Sequence, residues 1–186
     1  LSLHDALPIL FIDRDGTMGG DTDITYPDKF VLYPFTQKAI KILKKNGIRV
    51  FAFTNQPGIS VGEATEEDFI NELTGFGIEK AYICPHLPEQ NCKCRKPEVG
   101  MLLKAKVEYG LDLSKCFVIG DRWSDMMAAE KVNMEKILVL TGAGNETLEK
   151  DRDKWSQIDP DYVANNLLEG VEWIVEKAFQ IWVYEN

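Results

Sequence analysis

Three of the four cysteines and one of the two histidines of this chain fall within CPHLPEQNCKCRKP, residues 84–97. The spacing C-x-H-x5-C-x-C supplies Cys84, His86, Cys92 and Cys94, four soft or borderline metal ligands without a carboxylate. Such a set is typical of a tetrahedral, closed zinc site, which leaves no position for water or substrate. The motif therefore predicts a structural zinc ion.

Two other interpretations of these cysteines stay open: a set of buried thiols, or a disulfide bond between Cys92 and Cys94. A single intervening residue would strain that disulfide. The opening LSLHDALPILFID lacks the basic segment of a secretory signal, so we expect a reducing compartment, in which disulfides are rare. Cys116 lies outside the motif in an apolar run, and we interpret it as a core residue.

Acidic, hydroxyl and amide side chains cluster in three further short motifs. They are DRDGT at 13–17, TNQPG at 54–58 and GDRWSD at 120–125, and each begins where an apolar run ends. Taken singly, each has a structural interpretation: a turn, a proline-containing loop, and a helix start with acidic residues near its dipole. Because all three follow predicted strands, we favour one shared active site over three unrelated turns.

Apolar runs alternate with amphipathic patterns along the chain, which predicts strands alternating with helices. The predicted strands are 8–13, 48–54, 81–84, 116–120 and 136–140, and the predicted helices are 36–47, 65–74, 98–109, 123–132 and about 166–183. This order predicts an α/β fold, a Rossmann-like parallel sheet with helices on both faces. In such sheets ligands bind beside the carboxyl ends of the strands, where the three motifs lie.

Single residues predict further details of these elements. Thr36 is expected to cap the first helix, and Gly47 to end it. Residues 142–161 form the most polar segment and are expected to be a surface excursion. The expected buried face of the helix at 98–109 consists of Val99, Leu102, Leu103 and Val107.

The stretches FIDRDGT, FTNQ, CRKP and VIGDRWSDMMAA resemble the four motifs of haloacid dehalogenase (HAD) superfamily phosphatases, from about residue 9 to 141. The DxDGT form is typical of the phosphatases in that superfamily. The short intervals between motifs leave no room for a large cap domain, so the resemblance implies a capless HAD fold of subfamily III. The zinc-binding loop before the lysine motif is similar to that of the heptose bisphosphate phosphatase and histidinol-phosphate phosphatase families.

Phosphoryl transfer needs an in-line nucleophile, a proton donor for the leaving oxygen and neutralisation of negative charge. Asp13 is the first carboxylate beyond its strand, and we expect it to form an aspartyl phosphate. Asp15 lies two residues further on, where we expect it to protonate the leaving alkoxide and then to deprotonate water. The resemblance implies the same two roles.

Several carboxylates and a dianionic substrate would repel one another without a cation, and oxygen ligands beside a phosphate suit Mg²⁺. Its expected ligands are the Asp13 carboxylate, the Asp15 backbone carbonyl and the Asp121 carboxylate. Asp125 is expected to orient these neighbours. The residues expected to bind substrate are Thr54 and Lys96 for the phosphoryl oxygens, and Asn55, Arg95, Arg122, Gly19, Gly20 and Asp21 for the remainder.

The residue types also favour one substrate class. Arg95 beside Lys96 offers a planar, bidentate cation, and together with Arg122 it suits the second phosphate of D-glycero-D-manno-heptose 1,7-bisphosphate, hydrolysed at the 7-phosphate. Histidinol phosphate, or another small phosphomonoester, is the alternative, because the loop spacing equals that of the histidinol family and Asp21 and Asp23 could attract an amine. A non-catalytic zinc-binding module would explain the cysteines but not DRDGT or GDRWSD.

Composition limits the partners of the chain. Its 186 residues carry a net charge of −9 with a pI of about 4.8, which disfavours a nucleic acid, including a 3′-phosphate end, or an anionic membrane as partner. No apolar run approaches the roughly 20 residues of a membrane span. We expect a cytoplasmic monomer with one domain, residues 1–186, that acts on a small phosphorylated metabolite. Residues 1–7 are interpreted as a candidate non-native leader.

Overall fold

Six parallel strands form one sheet in the order β3-β2-β1-β4-β5-β6. The computed structural model describes residues 8–185, with side chains to residue 180, so the interpretation of residues 1–7 lies outside the described residues. The strands are β1 (Ile9–Ile12), β2 (Arg49–Asn55), β3 (Lys80–Cys84), β4 (Phe117–Gly120), β5 (Glu135–Val139) and β6 (Tyr162–Ala164). The predicted parallel sheet is confirmed, and β6 is an addition to it that the sequence pattern did not predict.

Helices cover both faces of the sheet, as predicted. They are α1 (Thr36–Lys45), α2 (Glu66–Phe76), α3 (Gly100–Tyr109), α4 (Trp123–Lys131), α5 (Gly144–Glu149) and α6 (Leu167–Glu185). Helices α1, α2 and α6 share a core cluster with Leu10 and Ile12, whereas α3 and α4 share the opposite one with Ile9 and Phe11. Alternate residues of β1 therefore pack against the helices on opposite faces of the sheet. Within residues 8–185, no helix has the length and apolar character needed to cross a membrane.

The start of α1 differs from the prediction by one residue. Phe35 occupies the cap position, and no side chain caps the helix. The Thr36 hydroxyl instead donates a hydrogen bond to the Met18 carbonyl at 2.7 Å, which ties α1 to the loop after β1. At the other end, α1 stops at Lys45 and Gly47 adopts a positive φ of 72°, so the predicted stop is confirmed.

The prediction for the buried face of α3 is confirmed for Leu102, and Val99 packs against the core, but it is wrong for Leu103 and Val107. Met101, Leu102 and Ala105 face the core, while Leu103 is 43% and Val107 84% exposed. Apolar residues occupy two faces of this short helix, so their spacing alone does not select one. At the start of the helix, Gly100 lies against the backbone of Lys93 and donates to its carbonyl at 2.9 Å, in a space that a Cβ would fill.

The polar segment at 142–161 lies at the surface, as expected, but it contains regular structure and a buried tryptophan. It contains α5 and a 3-10 helix that ends at Trp155, whose side chain is only 2% exposed. The indole packs with Met126 and Leu138, and its Nε1 donates to the Thr147 carbonyl at 3.1 Å. One large aromatic residue thus anchors a segment that is otherwise mostly polar and exposed.

We expect Trp155→Ala to lower the free energy of unfolding by about 3–5 kcal/mol, because it removes a buried aromatic ring and leaves a cavity. Urea denaturation followed by circular dichroism would measure the change. Val107→Ala is the matched control, since this exposed side chain is expected to contribute less than about 0.5 kcal/mol. Equal stabilities for the two variants would contradict a structural role for the indole.

Candidate active site

An open cleft of about 660 Å³ lies at the carboxyl edge of the sheet. Strand β1 pairs with β2 on one side and β4 on the other, so the residues that follow these three strands meet there. The residues singled out from the sequence that line the cleft are Asp13, Asp15, Thr54, Asn55, Arg95, Lys96 and Arg122. Asp121 and Asp125 are fully buried and do not line it.

Lys96 connects two aspartates inside the site. Its Nζ donates to Asp13 Oδ1 at 2.7 Å, to Asp125 Oδ1 at 2.6 Å and to the Phe53 carbonyl at 3.0 Å. Burial alone would lower the pKa of Lys96, but the carboxylates of Asp125 and Asp13 outweigh it and hold this pKa above its usual value. Lys96 is therefore a buried cation with a fixed position between two anions.

The side-chain amide of Asn55 holds the backbone of Lys96. Asn55 Oδ1 accepts from the Lys96 amide at 3.0 Å, and Nδ2 donates to the Lys96 carbonyl at 3.2 Å. The peptide bond from Lys96 to Pro97 is cis. Asn55 lines the cleft, but its polar atoms are directed at Lys96 rather than at open space. Its geometry suits alignment of Lys96 better than direct contact with a substrate.

Asp15 lies among three hydrogen-bond donors. Its Oδ1 accepts from Arg14 Nη1 at 2.8 Å and from the Thr25 amide at 3.0 Å, and its Oδ2 accepts from Gln56 Nε2 at 2.7 Å. Burial raises the pKa of Asp15, although Arg14 opposes the shift. Gln56 was not singled out from the sequence. Its place in TNQPG was the available signal, but its complete burial and its second donation, to Thr54 Oγ1 at 3.0 Å, depend on the fold.

Asp13, Asp121 and Asp125 bring carboxylate oxygens within 4.8 Å of one another. Asp121 Oδ2 accepts from the Ala143 amide at 2.7 Å, while its Oδ1 is buried without a hydrogen-bond partner in the described part of the chain. Both Asp125 oxygens are occupied, by Lys96 and by the Arg122 amide. Burial and neighbouring aspartates raise the pKa of Asp121 well above its usual value and that of Asp125 to about 6. An unpaired buried oxygen among mutually repelling carboxylates fits a bound cation.

Two glycines make room for the side chain of Asp121. Gly16 and Gly142 have positive φ values of 80° and 54°, and a Cβ at either position would collide with Asp121 Oδ2. Thr141 Oγ1 donates to the Gly16 carbonyl at 2.7 Å, which joins the two loops. The carboxylate of Asp121 is therefore enclosed by backbone on both sides, so it cannot turn away from the cation position.

The predicted zinc ligands form a second cluster at the end of β3. The Sγ and Nδ1 contacts in it measure 3.2–3.6 Å, and they join Cys84, His86, Cys92 and Cys94. All cysteines are free, since the sulfur separations exceed the about 2.05 Å of a disulfide bond. Four ligands at about 2.3 Å from a tetrahedral zinc lie somewhat under 4 Å apart, so this cluster fits the ion. Cys116 is buried in the core, as expected.

The two cleft arginines are each held by a backbone carbonyl. Arg95 Nη1 donates to the His86 carbonyl at 3.3 Å, and the Arg95 amide donates to Cys92 Sγ at 3.3 Å. Arg122 donates to the Thr22 carbonyl from the opposite wall. The position of Arg95 therefore depends on the loop that carries the cysteine cluster.

Past the DRDGT motif, the loop after β1 contributes Asp23, a candidate partner for the amine of histidinol phosphate, but none of the other residues that were expected to contact substrate. Thr22, Asp23 and Ile24 line the cleft, whereas the expected Gly19, Gly20 and Asp21 do not. Gly19 lies against the backbone of residues 31–32, where a Cβ would collide, and Gly20 has a positive φ of 70°. Asp21 Oδ1 accepts from the amide of the next residue. The glycines shape the loop, and its following residues reach the cleft.

Comparison with known proteins places the chain in a family. Residues 93–170 match the HAD-hydrolase-like family model. A D-glycero-beta-D-manno-heptose-1,7-bisphosphate 7-phosphatase from Yersinia pestis is 36% identical over 159 residues, 75% of this chain and 84% of that protein. The Helicobacter pylori enzyme of the same name is 33% identical over 177 residues, 89% and 95% of the two chains. The chain belongs to the HAD phosphatase family.

A solved HAD phosphatase supports the same assignment. The D,D-heptose 1,7-bisphosphate phosphatase from B. bronchiseptica, crystallised with magnesium and phosphate, superposes with a TM-score of 0.78 at 27% identity, over 92% of this chain and 99% of that one. Members of the HAD phosphatase family are phosphoric monoester hydrolases. The HAD resemblance seen in the motifs is thereby confirmed.

The contacts of Asn55 lead to a prediction. Asn55→Ala should lower kcat about 10–100-fold and change KM little, because loss of the clamp misplaces Lys96 by a fraction of an ångström to about 1 Å. Steady-state hydrolysis of 4-nitrophenyl phosphate would measure both constants. Asn91→Gly, at another cleft position whose amide contacts only the Glu89 carbonyl, is the control. A raised KM with an unchanged kcat would indicate that Asn55 binds substrate instead.

Proposed function

We propose that this HAD phosphatase hydrolyses the 7-phosphate of D-glycero-D-manno-heptose 1,7-bisphosphate through an aspartyl phosphate on Asp13. The observation that carries the proposal is the arrangement of Asp13 and Asp15 in one cleft, with Lys96 2.7 Å from the Asp13 carboxylate. The names of the relatives support the choice of substrate.

In the proposed first step, an Asp13 carboxylate oxygen attacks phosphorus. The bond from phosphorus to the leaving oxygen breaks, and that oxygen keeps the electron pair and takes a proton from Asp15. In the second step, a water oxygen attacks phosphorus, Asp13 leaves with the electron pair, and Asp15 takes back a proton from the water. Both carboxyl groups return to their starting states, so the cycle balances.

Lys96 and Thr54 are the proposed ligands of the phosphoryl oxygens. Thr54 Oγ1 accepts from Gln56, which leaves its own proton available for donation to a phosphoryl oxygen. Lys96 is already held beside Asp13, where negative charge spreads over the oxygens in the transition state. Both donors are fixed before substrate arrives, so little reorganisation is needed during the reaction.

The proposed magnesium ligands are the carboxylates of Asp13 and Asp121 and the Asp15 backbone carbonyl. Bound Mg²⁺ would neutralise charge on the carboxylates and the phosphoryl group. The unpaired Asp121 Oδ1 supports this set, and the occupied oxygens of Asp125 support its role as an orienting residue. The B. bronchiseptica phosphatase was crystallised with magnesium and phosphate, which supports magnesium as the cation.

A structural zinc ion held by the cysteine cluster belongs to the same proposal. The ligand set is closed, so zinc would hold the loop of Arg95 and Lys96 and take no part in the chemistry. The free cysteines are consistent with a reducing compartment, in line with the proposed cytoplasmic location. A monomeric state completes the proposal.

Arg95 is the proposed ligand of the second phosphate. One of its guanidinium nitrogens is bound to the His86 carbonyl, which leaves further donors for an anion in the cleft. Arg122, on the facing wall, can add a second cation. Histidinol phosphate remains the second candidate, because Asp23 lines the cleft and could bind its amine.

Comparing kcat/KM for the heptose bisphosphate, a heptose monophosphate and histidinol phosphate tests the substrate. We expect the bisphosphate to be preferred, and Arg95→Ala to lower its kcat/KM about 10–100-fold, the value of a charge-assisted hydrogen bond. The effect on the monophosphate should stay below about 3-fold, since that substrate lacks the second anion. Asp13→Asn, expected to be inactive, sets the background. Preference for histidinol phosphate would replace the heptose assignment.

The two proposed metals should separate on chelation. Mild chelation should stop turnover reversibly by removing Mg²⁺, while elemental analysis still finds about one zinc per chain. Cys92→Ser should lose zinc, lower the melting temperature and reduce kcat/KM by about 100-fold through misplacement of Arg95 and Lys96. Cys116→Ala, a core cysteine outside the cluster, should keep its zinc. A folded, zinc-free Cys92→Ser protein with full activity would show that zinc binding by this loop is not needed to position Arg95 and Lys96.

A further inference from the structure

Arg14 separates the two cleft aspartates in sequence, and its side chain is completely buried. Its guanidinium forms a bidentate ion pair with Glu72, in which Nε and Nη2 donate to the two carboxylate oxygens at 2.7 Å and 3.0 Å. Nη1 donates to Asp15 Oδ1 at 2.8 Å and to the Thr25 carbonyl at 2.6 Å. The three nitrogens of the guanidinium thus bind groups from helix α2, from the loop after β1 and from the reaction site.

Aromatic rings enclose the same guanidinium. Its central carbon lies 3.7 Å from the Phe30 ring centre and 5.0 Å from that of Phe69. Cation–π contacts of this kind fix the plane of an arginine as well as its charge. Burying an ion pair costs more free energy than burying apolar residues of the same volume, so stability alone does not account for Arg14 and Glu72.

The effect of this pair falls on one oxygen of Asp15. Oδ1 receives both the cationic Arg14 and the Thr25 amide, whereas Oδ2 receives only the neutral amide of Gln56. A charged donor and a second N–H on Oδ1 concentrate the negative charge of the carboxyl group there and exclude a proton from that atom. A proton on Asp15 therefore resides on Oδ2.

We propose that Arg14 and Glu72 are a positioning pair that fixes Asp15 Oδ1 and makes Oδ2 the oxygen that delivers the proton. The inference rests on the proposed role of Asp15 as acid and base. In the first step, the proton passes from Oδ2 to the leaving oxygen as that oxygen takes the electron pair of its bond to phosphorus. Arg14 itself touches neither substrate nor reacting atoms, and Glu72 acts only through Arg14.

Proton delivery can be distinguished from general structural support by the leaving group. An alkoxide is a poor leaving group and needs the proton, whereas 4-nitrophenolate leaves without one. The test compares the hydrolysis of 2-phenylethyl phosphate with that of 4-nitrophenyl phosphate, two esters of similar size, in the presence of Mg²⁺. The ratio kcat/KM reports steps up to departure of the leaving group, so it isolates the first proton transfer from the second.

For Arg14→Lys and Glu72→Gln, we expect kcat/KM to fall about 10–100-fold on the phenylethyl ester and less than about 3-fold on the nitrophenyl ester, as for loss of acid catalysis. Leu73→Val is the matched control: it alters the core beside Glu72 on the same helix without touching Arg14, and it should lower the melting temperature but leave the ratio of the two esters unchanged. Glu72→Gln keeps the side-chain volume, so it provides the measurement if Arg14→Lys does not fold.

An equal fall of kcat/KM on both esters in folded Glu72→Gln protein would overturn the assigned role of the Arg14 and Glu72 pair, but not the proposed function. Asp15→Asn separates this failure from that of the proposed function, because it should show the same selective loss on the phenylethyl ester. If Asp15→Asn lost activity equally on both esters, or if the unmodified protein hydrolysed neither, the assigned role of Asp15 would fail and the inference with it.

Discussion

The site is organised by the contact of one buried ammonium group with two carboxylates. Asp13 and Asp125 lie close together in the interior, and Lys96 Nζ, at 2.7 Å and 2.6 Å, forms an ion pair with both. Leaving a buried carboxylate without such a partner costs several kcal/mol. The loop that carries Lys96 therefore has to bring its ammonium group to the edge of the sheet where β1 and β4 end. The Asn55 amide, the cysteine cluster and the backbone contact at Gly100 all constrain that loop.

The unusual cysteine stretch is best understood through this constraint. Cys94 is two residues before Lys96, and the Cys92 sulfur accepts a hydrogen bond from the Arg95 amide. The cluster therefore determines the backbone positions of Arg95 and Lys96. A loop of this length, with one short 3-10 helix as its regular structure, would sample many conformations. Four of its side chains on one ion would restrict it. In the proposal, zinc thus sets geometry and magnesium neutralises charge, and the two ions occupy separate clusters with different donor chemistry.

The parallel sheet, the two-sided helical cover and the location of the motifs at one edge follow from the sequence, because a parallel sheet brings all strand ends to the same side. Other features depend on packing between distant segments. The prediction for α3 failed at Leu103 and Val107 because apolar residues occupy two faces of this helix, and their spacing alone does not select one. Trp155 was hidden in a polar segment because the residues that bury it, such as Met126, are not its neighbours in sequence. Gln56 was missed because nothing in TNQPG shows which amide turns inward.

In each of three aspartates, charged or backbone donors hold one carboxylate oxygen, and the proposal assigns the chemistry to the second oxygen. At Asp15 this second oxygen accepts only from the neutral Gln56 amide within the described residues. Lys96 takes Asp13 Oδ1, Arg14 takes Asp15 Oδ1, and Ala143 takes Asp121 Oδ2. In each pair the second oxygen has the role that the proposal needs: attack on phosphorus, transfer of a proton, or ligation of a cation. An acidic chain can bind an anionic substrate under these conditions, because its negative charges in the cleft are already partnered before the phosphate arrives. Positively charged groups of the protein therefore act twice, first by directing the aspartates and then, at Lys96 and Arg95, by attracting the substrate.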